Sequence, residues 1–305
     1  MDLVPFRPDD VVDTAALRGR GLTSHDIEAL CRSGRLHRLA RGWFATREPN
    51  GEVDRHLLTL RALLRHFEGR AAASHHSMLL ASGIPVWRAD LSVVHLTRTA
   101  DRGSRTRAGY RLHPRISALP VIETSRGPGV PPAVALVQAG ILNGPVDALI
   151  GADAALHLGL TDRRRLDEAL DLFEGRTGIA PVRAALAHAD GRHESPGETR
   201  LAAVLRDLGI PATPQVWVDT RLGPKRVDFL LDEHPVVLEF DGAVKYRARV
   251  DGGEKASLFE EKVREDAIRD ERHEVVRVIW RQLSVPAGIH RRIEDAVVRS
   301  RRRAA

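Results

Sequence analysis

An α/β protein, α+β in overall organisation, is what this sequence predicts, and three observations predict it. The chain has 305 residues, 43% of them hydrophobic, enough for two or three compact domains with cores of their own. Segments with helical periodicity are interleaved with short β-rich runs. The last third strings together a capped helix, two strands around a tight turn, a long helix and a closing strand. We read the boundaries as 1–50, 51–190 and 191–305.

Charge narrows the partners. The net charge is +6, and most of the cationic residues are arginines, whose planar fork suits phosphate. That favours nucleic acid over acidic small molecules, although a solvated Arg-rich surface has the same signature. The single cysteine, Cys31, excludes a disulfide framework and a cysteine-based zinc site within one chain, and suits a reducing cytoplasm. The first residues lack a basic stretch followed by an apolar run, so no signal peptide is expected. No run of 18 apolar residues exists, so no membrane span is expected. Dimerisation is left open.

The first fifty residues read as a small unit. Asp9 to Arg18 predicts a short helix, broken by Gly19 and Gly21. Thr23 follows as an N-cap with Asp26 three residues on, a variant of the capping box. Ile27, Leu30 and Cys31 share one helical face, and Ser33-Gly34 closes the helix. A basic hairpin comes next, with Leu36, Leu39, Trp43 and Phe44 as anchors and Arg35, Arg38 and Arg41 as phosphate-seeking charge. Helix, glycine stop and basic hairpin outline a winged helix. The segment LTSHDIEALCRSGRLHRLARGWFAT resembles the N-terminal winged helix of AbiEi-type antitoxins, with Arg41-Gly42-Trp43-Phe44 as the signature. The resemblance implies DNA binding. Only two clear helices precede the wing, where those proteins have three.

The middle region predicts a helix over Asp54–Phe67, from Leu57, Leu60, Leu64 and Phe67, and a second, alanine-rich helix over Ala71–Ser82. Residues 91–97 and 108–114 are strand-like, with a basic loop between them. SHHSMLLASGIP is similar to a stretch of the same antitoxins. Its His75 and His76 are adjacent, so on one helix they point apart and rarely chelate one ion; core or capping roles are the expectation. Residues 120–132 read as a surface connection. Residues 133–190 read as mostly helical, with runs ending at Gly140, Gly159 and Gly175.

The chemistry sits after residue 190. Ser195-Pro196-Gly197-Glu198 is a helix start, with Ser at the N-cap, Pro at N1 and Glu at N3. Val227–Leu231 and Val236–Phe240 flank the turn Asp232-Glu233-His234-Pro235. A four-residue loop pairs Leu231 with Val236 and puts Asp228 opposite Glu239. Facing carboxylates repel across a sheet. Asp241 falls on the same face as Glu239. Three acids on one side make sense around a divalent cation, Mg2+ or Mn2+, which takes carboxylate oxygens. A long helix from about Glu254 to Glu271 and a strand over Val275–Trp280 complete the segment.

This constellation resembles the PD-(D/E)XK superfamily of restriction-endonuclease-like domains, nearest the branch of very-short-patch-repair endonucleases. The resemblance runs through about ninety residues and implies a three-layer domain with a mixed central sheet. It implies catalytic roles for Asp228, Glu239, Asp241, Lys245, Glu198 and Lys262, and a metal held by Asp228, Glu239 and Asp241. Lys225, Arg226, Arg247 and Arg264 would contact nucleic acid alongside the wing arginines. The position where the superfamily usually has lysine, two after the second acid, is Asp241 here. The expected function is therefore metal-dependent hydrolysis of DNA phosphodiesters. The alternatives are a non-catalytic DNA-binding regulator of the type IV antitoxin kind with a degenerate nuclease fold, and a nuclease acting on RNA.

Overall fold

The structure, a computed structural model, describes residues 10–100, 102–116, 118–242 and 267–304. It is an α/β protein with mixed sheets. The described residues divide into two compact units that part between Ala189 and Asp190. No helix among the described residues is long and apolar enough to cross a membrane.

The first unit begins with β1 (Val11–Asp13), α1 (Thr14–Gly19), α2 (Ser24–Arg32), β2 (His37–Ala40) and β3 (Trp43–Ala45). Its three strands lie in the order β1-β3-β2, all antiparallel. The helix expected from Asp9 starts later, at Thr14. The β-branched Val11 and Val12 pair with Ala45 and Phe44 instead, and Asp13 caps α1 by accepting the amide of Ala16 at 2.7 Å. Thr23 and Asp26 form the expected capping box, with both reciprocal bonds present. Thr23→Ala is therefore expected to cost about 1 kcal/mol, read as a lower urea midpoint. An unchanged midpoint would mean the cap does not hold α2. Gly42 supplies the left-handed residue (φ 75°) that the β2–β3 turn requires.

The next helix, α3 (Gly51–His66), buries Leu58 and Ala62 against Val11, Trp43 and Ala45. The residues after position 50 thus share a core with the small sheet. A six-stranded sheet follows, built from β4 (Ala71–Ala73), β5 (Val94–Arg98), β6 (Arg105–Arg107), β7 (Tyr110–His113), β8 (Ile122–Thr124) and β9 (Gly127–Gly129) in the order β6-β7-β5-β4-β9-β8. Two expectations change here. Ala71–Ala73 is a central strand, and only His75–Ala81 is helix (α4). Alanine's helix propensity is a weak preference, and pairing on both sides, with β5 and β9, overrides it. The expected surface connection around residue 125 contributes a hairpin, β8–β9, to the same sheet.

Four helices close the unit: α5 (Pro132–Asn143), α6 (Pro145–His157), α7 (Arg163–Asp171) and α8 (Ile179–Leu186). Gly140 lies inside α5 rather than ending it. A Cβ there would approach the Cβ of Ala148 to 2.7 Å and Cγ2 of Val182 to 2.9 Å, so the glycine lets α5, α6 and α8 pack closely.

The second unit is a four-stranded mixed sheet between helices. Helix α9 (Pro196–Asp207) leads into β10 (Ala212–Val218), β11 (Lys225–Leu231) and β12 (Val236–Asp241), all antiparallel neighbours. Strand β13 (Glu274–Ile279) then runs parallel to β12, and α10 (Pro286–Ala304) ends the described chain. Strand β10 was not anticipated; its Pro214 is tolerated because β10 is an edge strand. One sheet face packs Phe229, Leu238 and Val276 against Leu201 and Leu205 of α9 and Ile289 and Ile293 of α10. The other packs Val227, Val237 and Val275 against Ile268, in a helical turn at 267–270. The rest of the helix expected over 254–271 lies outside the described residues.

Candidate functional site

The acidic hairpin forms in the expected register: Phe229 stands opposite Leu238 and Leu230 opposite Val237. The ladder then stops. The next pair would be Asp228 and Glu239, and there the Asp228 Oδ2 accepts the backbone amide of Phe240 at 2.7 Å. The carboxylate has taken the place of a main-chain acceptor and lies against the Glu239–Phe240 peptide.

The cause is a local reversal in β10 and β11. Phe229 and Leu231 belong to one face of the sheet, yet Val227 belongs to the other. On β10, Ala212 packs with the first face while Val216 and Val218 pack with the second. Between them Gln215 has φ 56°, and the pair Gln215–Asp228 is missing from an otherwise continuous ladder. Both strands swap faces at this point. Alternation along β11 therefore does not assign Asp228 to a face, while it does place Glu239 and Asp241 on one side of β12.

Strand β12 stays regular against β13 through Asp241. Glu239 pairs with Arg277, whose Nη2 lies 3.9 Å from Glu239 Oε2. Three ligand-type side chains with donor atoms all within 4.8 Å of one another occur at His75, His95 and His113 among the described residues, and not at Asp228, Glu239 and Asp241. The three carboxylates thus do not converge to within 4.8 Å of one another. Magnesium needs only one or two protein carboxylates beside substrate phosphates.

Glu198 has a structural occupation. It is buried at N3 of α9, where Ser195 Oγ donates to its Oε1 at 2.7 Å. The amide of Glu194 and Nε2 of Gln215 both donate to its Oε2, at 2.9 and 2.8 Å. It holds the N-cap hydroxyl and the preceding amide, and ties α9 to the irregular point of β10. Among the cationic residues, Lys225 is half-buried and Arg226 is exposed and bonded to Glu194 at 2.7 Å. Arg35, Arg38 and Arg41 are exposed around the N-terminal hairpin, and the Arg38 guanidinium sits 5.3 Å over the Phe44 ring. Lys245, Lys262, Arg247 and Arg264 lie outside the described residues.

Sequence reasoning missed a second cluster, in the first unit. His75 and His76 at the start of α4 meet His95 of β5 and His113 of β7. His95 Nδ1 and His113 Nε2 are 2.8 Å apart, and the rings of His75 and His113 stack at 3.9 Å. His76 packs at 4.6 Å from His95, and His56 of α3 at 5.5 Å from His76. Burial comes first in lowering each of these imidazoles, with neighbouring cationic groups adding to it for all but His56. His76 and His113 are brought to about 4 and His95 to about 3; His75 is held well below its usual value. All five are neutral at pH 7. Alternation in VVHLT and YRLH sets His95 beside Thr97 and His113 beside Arg111 on the polar face of each strand, so the strands carried no signal that the two meet.

No family model matches the chain. Over 224 residues it is 29% identical to uncharacterized proteins of Mycobacterium tuberculosis, Rv2248 of strain H37Rv and MT2308 of strain CDC 1551, covering 72% of this chain and 79% of each of theirs. These are what the chain is similar to, and their descriptions assign no activity.

Proposed function

We propose that the chain is a metal-dependent endonuclease that hydrolyses DNA, with the basic N-terminal hairpin as its DNA-binding module and the cytoplasm as its compartment. The observation that carries this reading is the Asp228 carboxylate lying against the Glu239–Phe240 peptide where the β11–β12 ladder ends. Asp228 caps the Phe240 amide there, and Glu239 and Asp241 follow on the neighbouring strand, a density of acids that a divalent ion would compensate. The mixed sheet between helices supports it too, because that is the architecture implied by the resemblance to restriction-endonuclease-like domains.

In this reading Asp228 and Glu239 hold one Mg2+ or Mn2+, and Asp241 acts through water rather than as a direct ligand. The bound ion polarises the scissile phosphate and lowers the pKa of a water. Arg277 restrains Glu239 in its orientation, and Lys225 and Arg226 hold flanking phosphates without reading sequence. Glu198 is a positioning residue that anchors β10 at Gln215.

The test is cleavage of plasmid DNA, with RNA in parallel, by the full chain in Mg2+ and in Mn2+. The Asp228→Ala, Glu239→Ala double variant is expected to lose at least about 100-fold in rate. Equal cleavage by the two proteins, or none by either, sinks the nuclease reading. The second reading, a non-catalytic DNA-binding regulator of antitoxin type, is favoured by Asp241 standing at the usual lysine position. It predicts salt-sensitive DNA binding that survives the double substitution and depends on Arg35, Arg38 and Arg41.

A further inference from the structure

We propose that His75, His95 and His113 form a three-nitrogen site for a divalent transition-metal ion of the zinc class, separate from the carboxylate site of the second unit. Three elements deliver the ligands: the first turn of α4, strand β5 and strand β7. Each residue offers one ring nitrogen, and the three nitrogens lie within 4.8 Å of one another. β5 and β7 are parallel, with His95 opposite Arg111 and Thr97 opposite His113, so the two histidines are diagonal neighbours on one face of the sheet. An imidazole-only donor set selects zinc, cobalt, nickel or copper over magnesium or calcium. Three histidines with a remaining position is also a common arrangement for zinc that keeps an exchangeable ligand.

The surroundings orient the rings as ligands need. Nδ1 of His75 lies 2.9 Å from Ser74 Oγ, which leaves Nε2 to face the cluster. Ser74, Ser77, Thr97 and Gln138 are all buried around it, and Ser77 Oγ accepts the His95 amide at 2.8 Å while also contacting His56 Nε2 at 2.9 Å. Gln138 Oε1 accepts the amide of His75, whose φ of 53° is a left-handed conformation that a non-glycine residue adopts at a cost. A core that only needed filling would place leucine at these positions. The 2.8 Å separation of His95 Nδ1 and His113 Nε2 is a hydrogen bond, and an ion between them requires about 3.3 Å, from bonds of about 2.0–2.1 Å at a tetrahedral angle. His113 is partly buried on β7, stacked on His75 and His95, and binding requires its ring to shift outward by that half ångström. Nδ1 of His76, in the ring beside His95, is buried with no hydrogen-bond partner among the described residues. An exchangeable water or ligand on the metal would satisfy it.

The experiment uses the untagged full-length protein, stripped with a chelator and titrated with Co2+ and then with Zn2+. One equivalent of Co2+ per chain is expected to give visible d–d absorption, which Zn2+ abolishes while raising the melting temperature. His113→Ala removes the ligand that is not fully buried. It is expected to weaken binding by more than the roughly 10–100-fold that loss of a supporting hydrogen bond costs. His75→Asn is expected to do the same, and circular dichroism checks that each variant is folded. The Asp228→Ala, Glu239→Ala variant is expected to bind Co2+ as before, which separates this site from the acidic one. Absence of the band, binding undiminished in folded His113→Ala, or loss of the band in the acidic double variant overturns the proposal.

Discussion

Gly197→Ala is expected to destabilise the second unit by about 2–3 kcal/mol, the upper part of the range for overfilled cores. Gly197 is the second residue of α9 and is buried. A Cβ there would fall inside the van der Waals envelope of Cδ1, Cε1 and Cζ of Phe240. Trp280 stands edge-on against that ring at 4.9 Å and limits its room to yield. The alanine gains at most about 1 kcal/mol of helix propensity, which does not offset the clash. Trp280 fluorescence during urea unfolding reads the loss. Phe240→Leu added to Gly197→Ala should restore part of it, because the two changes act on one contact. Phe240 is also the residue whose amide Asp228 bonds, so the clash moves the acidic strand as well as loosening the helix. A change below about 0.5 kcal/mol, the level of an inert surface substitution, would show that α9 does not approach β12 this closely.

Acidification of the metal-free protein is expected to unfold the first unit well before its carboxylates are protonated. His56, His75, His76, His95 and His113 are all depressed below the ordinary histidine value of about 6.5 in the folded state. Below that value the unfolded chain binds protons that the folded chain refuses. Stability is therefore full above about pH 6.5 and is lost as pH falls toward the folded values of about 4 for His76 and His113 and about 3 for His95. Each group removes up to about 1.4 kcal/mol per pH unit in that window. His76, His95 and His113 together reach about 6 kcal/mol by roughly pH 5, the low end of the whole stability of a domain, about 5–15 kcal/mol, and His56 and His75 act in the same direction. Thermal melts in chelator from pH 7.5 to 4.5 check this, beside His76→Leu, which should flatten the slope by one proton. A melting temperature that is level from pH 7 to 5 would show that these rings are not buried neutral.

The local devices were legible in the sequence because each is made within a few residues. The capping box at Thr23 and the N-cap at Ser195 are written in side chains three positions apart. The register of β11 against β12 follows from a short loop of turn-forming residues, and the structure has it as expected. Ala71–Ala73 was misread for the opposite reason. Its strand state comes from β5 and β9, which flank it in space and not in sequence. The hairpin β8–β9 was read as a connection because Gly127-Pro128-Gly129 has turn composition, yet it pairs with β4 through Gly129.

The same division runs through the two sites. The sequence alone determined which acids stand on neighbouring strands, since alternation and loop length are local quantities. Tertiary structure decided how they meet. Gln215 and Asp228 reverse the faces of two strands together, a paired distortion that neither strand's pattern contains. It decided the histidine cluster entirely. His75, His95 and His113 come from three elements, and pairing between β5 and β7 and packing of α4 bring their nitrogens within 4.8 Å. Convergence of ring nitrogens is a property of distances through space, and a sequence records only distances along the chain.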